Sequence, residues 1–356
     1  MEDLTAKKKF DILDGAIACI LFIALNFVFD IFYGFFPRDF RVNFWGNALF
    51  SVILESIFAI ICLIVVCFRH KNFIEATTLN KKVNWPIVGL CLAISAACIL
   101  LFSDITNAYS YTLDYIGYIQ YPDPITNTPH FVLTYFLNII TVCAVPALCE
   151  ELLFRGVLLN SFRGLNKWLG ITVSAFAFML MHGNPEQTVH QLLLGFVLGY
   201  IVWETRNLWT SILIHFFNNF LAITLSFILT IARGGAPADS GAAETISSQR
   251  ILLTWLLGIA MVALGLIIVW WLVKFVKKQS QKANGEVEQK KVDVVASVDG
   301  EVVQADVSAE IQETKEVAEE KQTPTPTAKY LTIVAYLLFA AKCVYDWISI
   351  LLYHLP

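Results

Sequence analysis

Ala144-Val-Pro-Ala-Leu-Cys-Glu-Glu-Leu-Leu-Phe-Arg155 puts two adjacent carboxylates, Glu150 and Glu151, and an arginine at the end of a long apolar run. Each ionisable side chain at membrane depth costs ~2.5–3.5 kcal/mol on insertion scales, so such residues rarely occur there without a use. Three fall close together here, and two later apolar segments each bring a histidine, His182 and His215. The pattern points to chemistry inside a membrane.

The composition agrees. Hydrophobic residues make up 57% of the 356 and charged residues 15%, against roughly 45–50% and 25% in soluble domains. Mean hydropathy is +0.64. The reading is an all-α, multi-pass helical bundle in the lipid bilayer. No basic face interleaved with aromatics supports nucleic-acid binding. The eight cysteines lie in apolar segments without a CxxC pair, and read as small buried hydrophobes rather than disulfides or a metal site. The first apolar run is long enough to span and lacks a clear cleavage site, so it reads as a retained helix.

Apolar runs predict spans at 15–36, 47–68, 84–103, 131–150, 168–182, 189–203, 208–230, 251–273 and 330–353, about eight or nine crossings. The expected organisation is N-terminal helices over 1–130, a core over 131–230, a further core helix over 231–278, a disordered charged linker over 279–329 and an added helix over 330–356. The linker follows from high charge, few aromatics and the run Thr323-Pro-Thr-Pro-Thr327. Lys7–Lys9, Arg69–Lys82, Arg155–Lys167 and Lys274–Lys278 make every second connection basic, which puts the N-terminus and those loops in the cytoplasm. Arg38 and Arg41 in the first outer loop run against it. The overall plan looks bacterial, in the plasma membrane.

Four-residue spacing puts Glu151 and Arg155, Phe178 and His182, and His215 and Asn219 each on one helix face. Glu151 before Arg155 is the favourable order for a helical ion pair, which leaves Glu150 facing elsewhere. A carboxylate stripped of water suits a general base. Two donors on one face, His215 and Asn219, suit an oxyanion. Asn218, three residues from His215, competes for that place. Phe178 reads as packing that shapes the site. Gly195 and Gly199 mark a close helix crossing, and Lys342 and Asp346 are spaced to pair. Glu55 and Asp30 read as helix-contact or interface groups.

Glu150-Glu151-xxx-Arg155, Phe178-xxx-His182 and His215-xxx-Asn219 together resemble the three motifs of the CAAX protease and bacteriocin-processing (Abi) family of intramembrane endopeptidases, over roughly 130–230. The resemblance implies cleavage of a membrane-associated peptide or protein. It implies Glu150 as the base that activates water, His182 assisting, and His215 with Asn219 as the oxyanion hole. It needs no cofactor. The alternative is zinc held by His182, His190 and His215. HExxH and GxGD signatures are absent from the sequence. A proton-coupled transporter or a bacteriocin-immunity protein without proteolysis is the competing function. The substrate, whether it is prenylated, and the oligomeric state are not encoded in these motifs.

Overall fold

The computed structural model describes residues 10–119, 131–233, 247–298 and 326–355. Helices form α1 (Ile12–Gly34), α2 (Arg38–Val42), α3 (Phe44–Phe68), α4 (Phe73–Ala76), α5 (Trp85–Tyr115), α6 (Phe131–Leu159), α7 (Lys167–Met181), α8 (Thr188–Thr205), α9 (Leu208–Ala232), α10 (Ser248–Val298) and α11 (Pro326–Tyr353). The described residues contain no strand. Apolar stretches of this length become helices because a bilayer offers the backbone no outside hydrogen-bond partner. Asparagines set several starts: the side chains of Asn43, Asn84, Asn166 and Asn207 accept from the first free N–H groups of α3, α5, α7 and α9. Asp11 and Asp14 form a reciprocal capping box at α1.

Among the described residues, seven helices are long and apolar enough to cross a membrane: α1, α3, α5, α6, α9, α10 and α11. The expected fifth and sixth spans, α7 and α8, are helical but fall outside that group. At 1.5 Å per residue, α7 reaches only about 22 Å against a hydrocarbon core of about 30 Å. Two expected boundaries move. α5 runs on to Tyr115, past 103, and α10 runs on to Val298, through the first part of the expected linker. The indole N–H of Trp255 in α10 donates to the Thr112 hydroxyl in α5 and holds the polar extension of α5 in place. In α10, the Lys, Glu, Gln and Ala that lowered hydropathy are themselves good helix formers. The rest of the expected linker, 299–325, lies outside the described residues.

Long polar side chains tie one end of the bundle together. Arg69 donates to Asp14 at 2.6 Å and to Asp11 at 2.8 Å, joining the end of α3 to the start of α1. Glu204 pairs with both Lys167 and Lys277. Arg163 donates to the carbonyls of Val202 and Trp203. Asn207 and Asn284 donate to the Lys82 carbonyl. Of the basic connections read from the sequence, Arg69, Lys82, Arg163, Lys167 and Lys277 take part in these ties, Arg155 is instead buried within α6, and Lys7–Lys9 lie outside the described residues. At the other end, Ile119 and His354 exchange hydrogen bonds, bringing the end of α11 to the loop after α5. The paired spacing of Lys342 and Asp346 forms an ion pair.

Small residues set the crossings. A Cβ on Gly195 would lie 3.0 Å from the Ala175 Cα, and one on Gly199 3.3 Å from Ile171, so α7 and α8 meet along the glycine pair. α5 and α10 meet at Gly258, where an added Cβ would stand 2.6 Å from the Ile105 backbone. Gly258→Ala therefore forces the two helices apart and should cost about 1–3 kcal/mol. Gly89→Ala meets nothing within 4 Å and serves as the control. Thermal unfolding in detergent should show a lower midpoint for Gly258→Ala alone; equal midpoints refute the close crossing.

Candidate active site

The segment holding Glu150, Glu151 and Arg155 folds unusually. Within α6, Ile139–Ala144 and Leu152–Leu159 are π-helical, and the α-helical turn Val145–Glu151 lies between them. π segments insert into helices most often at functional sites. Pro146 has no N–H to give the Val142 carbonyl four residues earlier. The Asn219 side chain donates to that carbonyl at 2.8 Å.

Glu151 and Arg155 pair at 2.6 Å, both fully buried. Arg155 also donates to the Gly195 carbonyl at 3.2 Å and lies 4.3 Å over the Phe178 ring. The second helix, α7, thus meets α6 through a guanidinium stacked on an aromatic face. Phe178 is fully buried, with His182 and His215 edge-on at 4.9 and 5.5 Å. The three sequence pairs therefore converge on one cluster.

Each histidine has one nitrogen fixed. His182 ends α7 and its Nδ1 donates to the Phe178 carbonyl at 2.8 Å, which makes Nε2 the free acceptor in the neutral ring. His215 Nδ1 donates to Glu151 Oε1 at 3.1 Å, and its Nε2 faces Glu150 Oε2 at 4.0 Å. Glu150 is 3% exposed, and its Oε2 has no hydrogen-bond partner.

The two asparagines point apart, as neighbours on a helix must. Asn218 is buried and its amide lies 3.1 Å from His190 Nε2. Asn219 is the half-buried one, beside the α6 backbone. From the sequence alone neither His215 nor Asn219 had an evident partner; the fold supplies Glu151 to one and Val142 to the other. Among the described residues no three His, Cys, Asp or Glu side chains gather as a metal-holding group.

Glu55, read from the sequence as a helix-contact or interface group, lies on α3, which packs against the Val145–Glu151 turn of α6. Oε2 of Glu55 and Oε2 of Glu150 are both buried without a hydrogen-bond partner. No helical period links positions so far apart in the chain, so only the ionisable group inside an apolar span could have flagged it.

Removing one partner from a buried ion pair leaves an uncompensated charge and costs about 3–5 kcal/mol. Arg155→Leu should therefore lower the unfolding midpoint sharply and disperse the protein in size-exclusion chromatography. Glu151→Gln with Arg155→Leu together should recover part of that loss. A stable Arg155→Leu single variant refutes the anchoring role.

Compared with known families, residues 132–221 match the model described as type II CAAX prenyl endopeptidase Rce1-like. No curated protein and no solved structure matches the chain. The matched stretch contains α6 to the middle of α9, and with it Glu150, Glu151, Arg155, Phe178, His182, His215 and Asn219. Residues 132–221 of this membrane helical bundle, less than half of the chain, are thus similar to the Rce1-like family model.

Proposed function

We propose that the protein is an intramembrane endopeptidase that hydrolyses a membrane-associated peptide or protein with water activated by Glu150. The observation that carries this reading is the Glu150 carboxyl, buried with an unpartnered oxygen 4.0 Å from His215 Nε2. Water held on that side loses a proton to Glu150 as its oxygen bonds to the scissile carbonyl carbon. The His182 Nε2 lone pair accepts a hydrogen bond from the same water and orients it. Electrons of the carbonyl move to its oxygen. His215, oriented by Glu151 through Nδ1, donates from Nε2 when its ring is protonated, and Asn219 donates its second amide N–H. When the C–N bond breaks, Glu150 returns the proton to the leaving nitrogen. This route uses no metal.

The substrate class follows from the setting: the cluster sits within apolar helices, so a peptide already at the bilayer is the fitting partner. The basic face of the bundle is assigned to the cytoplasm. Protease added to inverted vesicles should cut within 299–325, and right-side-out vesicles should protect it. The opposite pattern overturns the orientation.

A library of lipidated and plain fluorogenic peptides, offered to the full chain in detergent, tests the activity. Against any peptide cleaved, Glu150→Gln should lower kcat by about 10²–10⁴. Asn219→Ala should lower kcat by about 10²–10³ with KM nearly unchanged, because an oxyanion contact forms chiefly in the transition state. Asn218→Ala should act on stability instead, since it strips His190 of its partner. Wild-type turnover by a well-folded Glu150→Gln sinks the mechanism, and a change confined to KM in Asn219→Ala sinks the oxyanion role.

A further inference from the structure

We propose that the open end of the α7–α8 hairpin and the facing turn of α10 bind the phosphate headgroup of an anionic phospholipid. Helices α7 and α8 pack along Gly195 and Gly199, and the turn from His182 to Thr188 closes the hairpin. Lys167 and Arg206 stand at its open end. Glu204, two residues before Arg206, joins that end to Lys277 of α10 at 2.8 Å.

The charge there is one-sided. Glu204 pairs with both Lys167 and Lys277, so two ammonium groups share one carboxylate. Arg163 spends its N–H groups on the Asn160 side chain and on the Val202 and Trp203 carbonyls, none of which carries a charge. Lys274 and Arg206 are exposed and form no ion pair among the described residues. The complement of this set is an anion.

The aromatic rings identify its source. Lys274 Nζ lies 3.3 Å from the centroid of the Trp270 ring and 5.3 Å from that of Trp271. Lys167 Nζ lies 4.5 Å over Tyr200 and 5.1 Å over Trp168. Trp168 is 59% exposed and Trp271 54%, beside the exposed aliphatic side chains of Leu169 and Ile267. Indole rings in such company settle at the boundary between hydrocarbon and headgroups. A lysine stem there runs along apolar surface while its ammonium reaches outward. A soluble anion would meet the cations but leave the rings bare. A phospholipid covers the rings with its chains and meets the cations with its phosphate, and the surplus of positive charge selects an anionic one. Because α7 falls short of the hydrocarbon core, a headgroup held at the open end fixes the depth of the hairpin, and with it that of His182 at the end of α7. The site is independent of the reading of Glu150 as the base.

Native mass spectrometry of the purified full chain in detergent, titrated with short-chain phosphatidylglycerol, short-chain phosphatidylcholine or inorganic phosphate, tests the site. Both lipids carry a phosphate, and only phosphatidylglycerol has a net charge. The wild type should bind phosphatidylglycerol about tenfold or more tightly than phosphatidylcholine, and inorganic phosphate at equal concentration should not displace it. Each cation removed near a charged lipid should cost about fivefold. Lys274→Gln with Arg206→Gln should therefore weaken phosphatidylglycerol about 10–25-fold and leave phosphatidylcholine unchanged, whereas Lys274→Arg should keep wild-type binding. Arg233→Gln removes an exposed cation at the far end of α9 and should change nothing. Equal wild-type affinity for the two lipids, or an equal loss in Arg233→Gln, overturns the proposal. Displacement by inorganic phosphate overturns the lipid as its occupant. Both glutamines leave the Glu204 ties intact; should the double variant not fold, Lys274→Gln alone carries the same test with a loss of about fivefold.

Discussion

A fully buried arginine governs this structure. Taking a guanidinium and a carboxylate out of water costs several kcal/mol per ion, repaid only when geometry and extra hydrogen bonds are good. Arg155 meets that demand from three directions: the Glu151 carboxylate on its own helix, the Gly195 carbonyl on α8 and the Phe178 ring on α7. Each contact fixes a neighbour. Glu151, held from one side, holds His215 from the other. Phe178, held on its face, carries both histidines at its edges. The arrangement of α6, α7, α8 and α9 around the site follows from satisfying a single cation.

Backbone register supplies the second constraint. A regular α-helix through Pro146 loses a donor to the Val142 carbonyl, and the π segments on both sides reset the register around Glu150 and Glu151. Asn219 brings α9 to the carbonyl so exposed. The adjacent Asn218 turns about 100° away and meets His190 instead. One helix therefore serves two neighbouring helices with consecutive residues, Asn219 reaching α6 and Asn218 reaching α8.

What the sequence made legible was local. Four-residue spacing found the Glu151–Arg155 and Lys342–Asp346 pairs and the glycine crossing, because each depends only on helical period. The three motif pairs came together for the same reason, one pair per helix. Helix ends were less legible. Hydropathy marks where the apolar slab ends, whereas α5 runs on through a polar stretch to Tyr115 and α10 is still helical at Val298, the last residue described there. Tertiary partners were not legible at all. Nothing near Asn218 in the sequence names His190, and nothing near Asn219 names Val142.

The short helices give the site its access to polar groups. α7 stops before a full crossing, so the turn from His182 to Thr188 comes at a depth where free backbone would be costly. The turn carries its own partners: Asn184 accepts from Glu186, and Thr188 donates to the Pro185 carbonyl. α11 adds the rest, with the Trp347 indole donating to Thr188 and Ile350 lying 3.7 Å from the position of a Cβ on Gly183. A helix remote in the chain thus shields the break that places His182 beside Phe178. Polar chemistry in an apolar setting requires such a break, and the break in turn requires protein, rather than lipid, on its outer side.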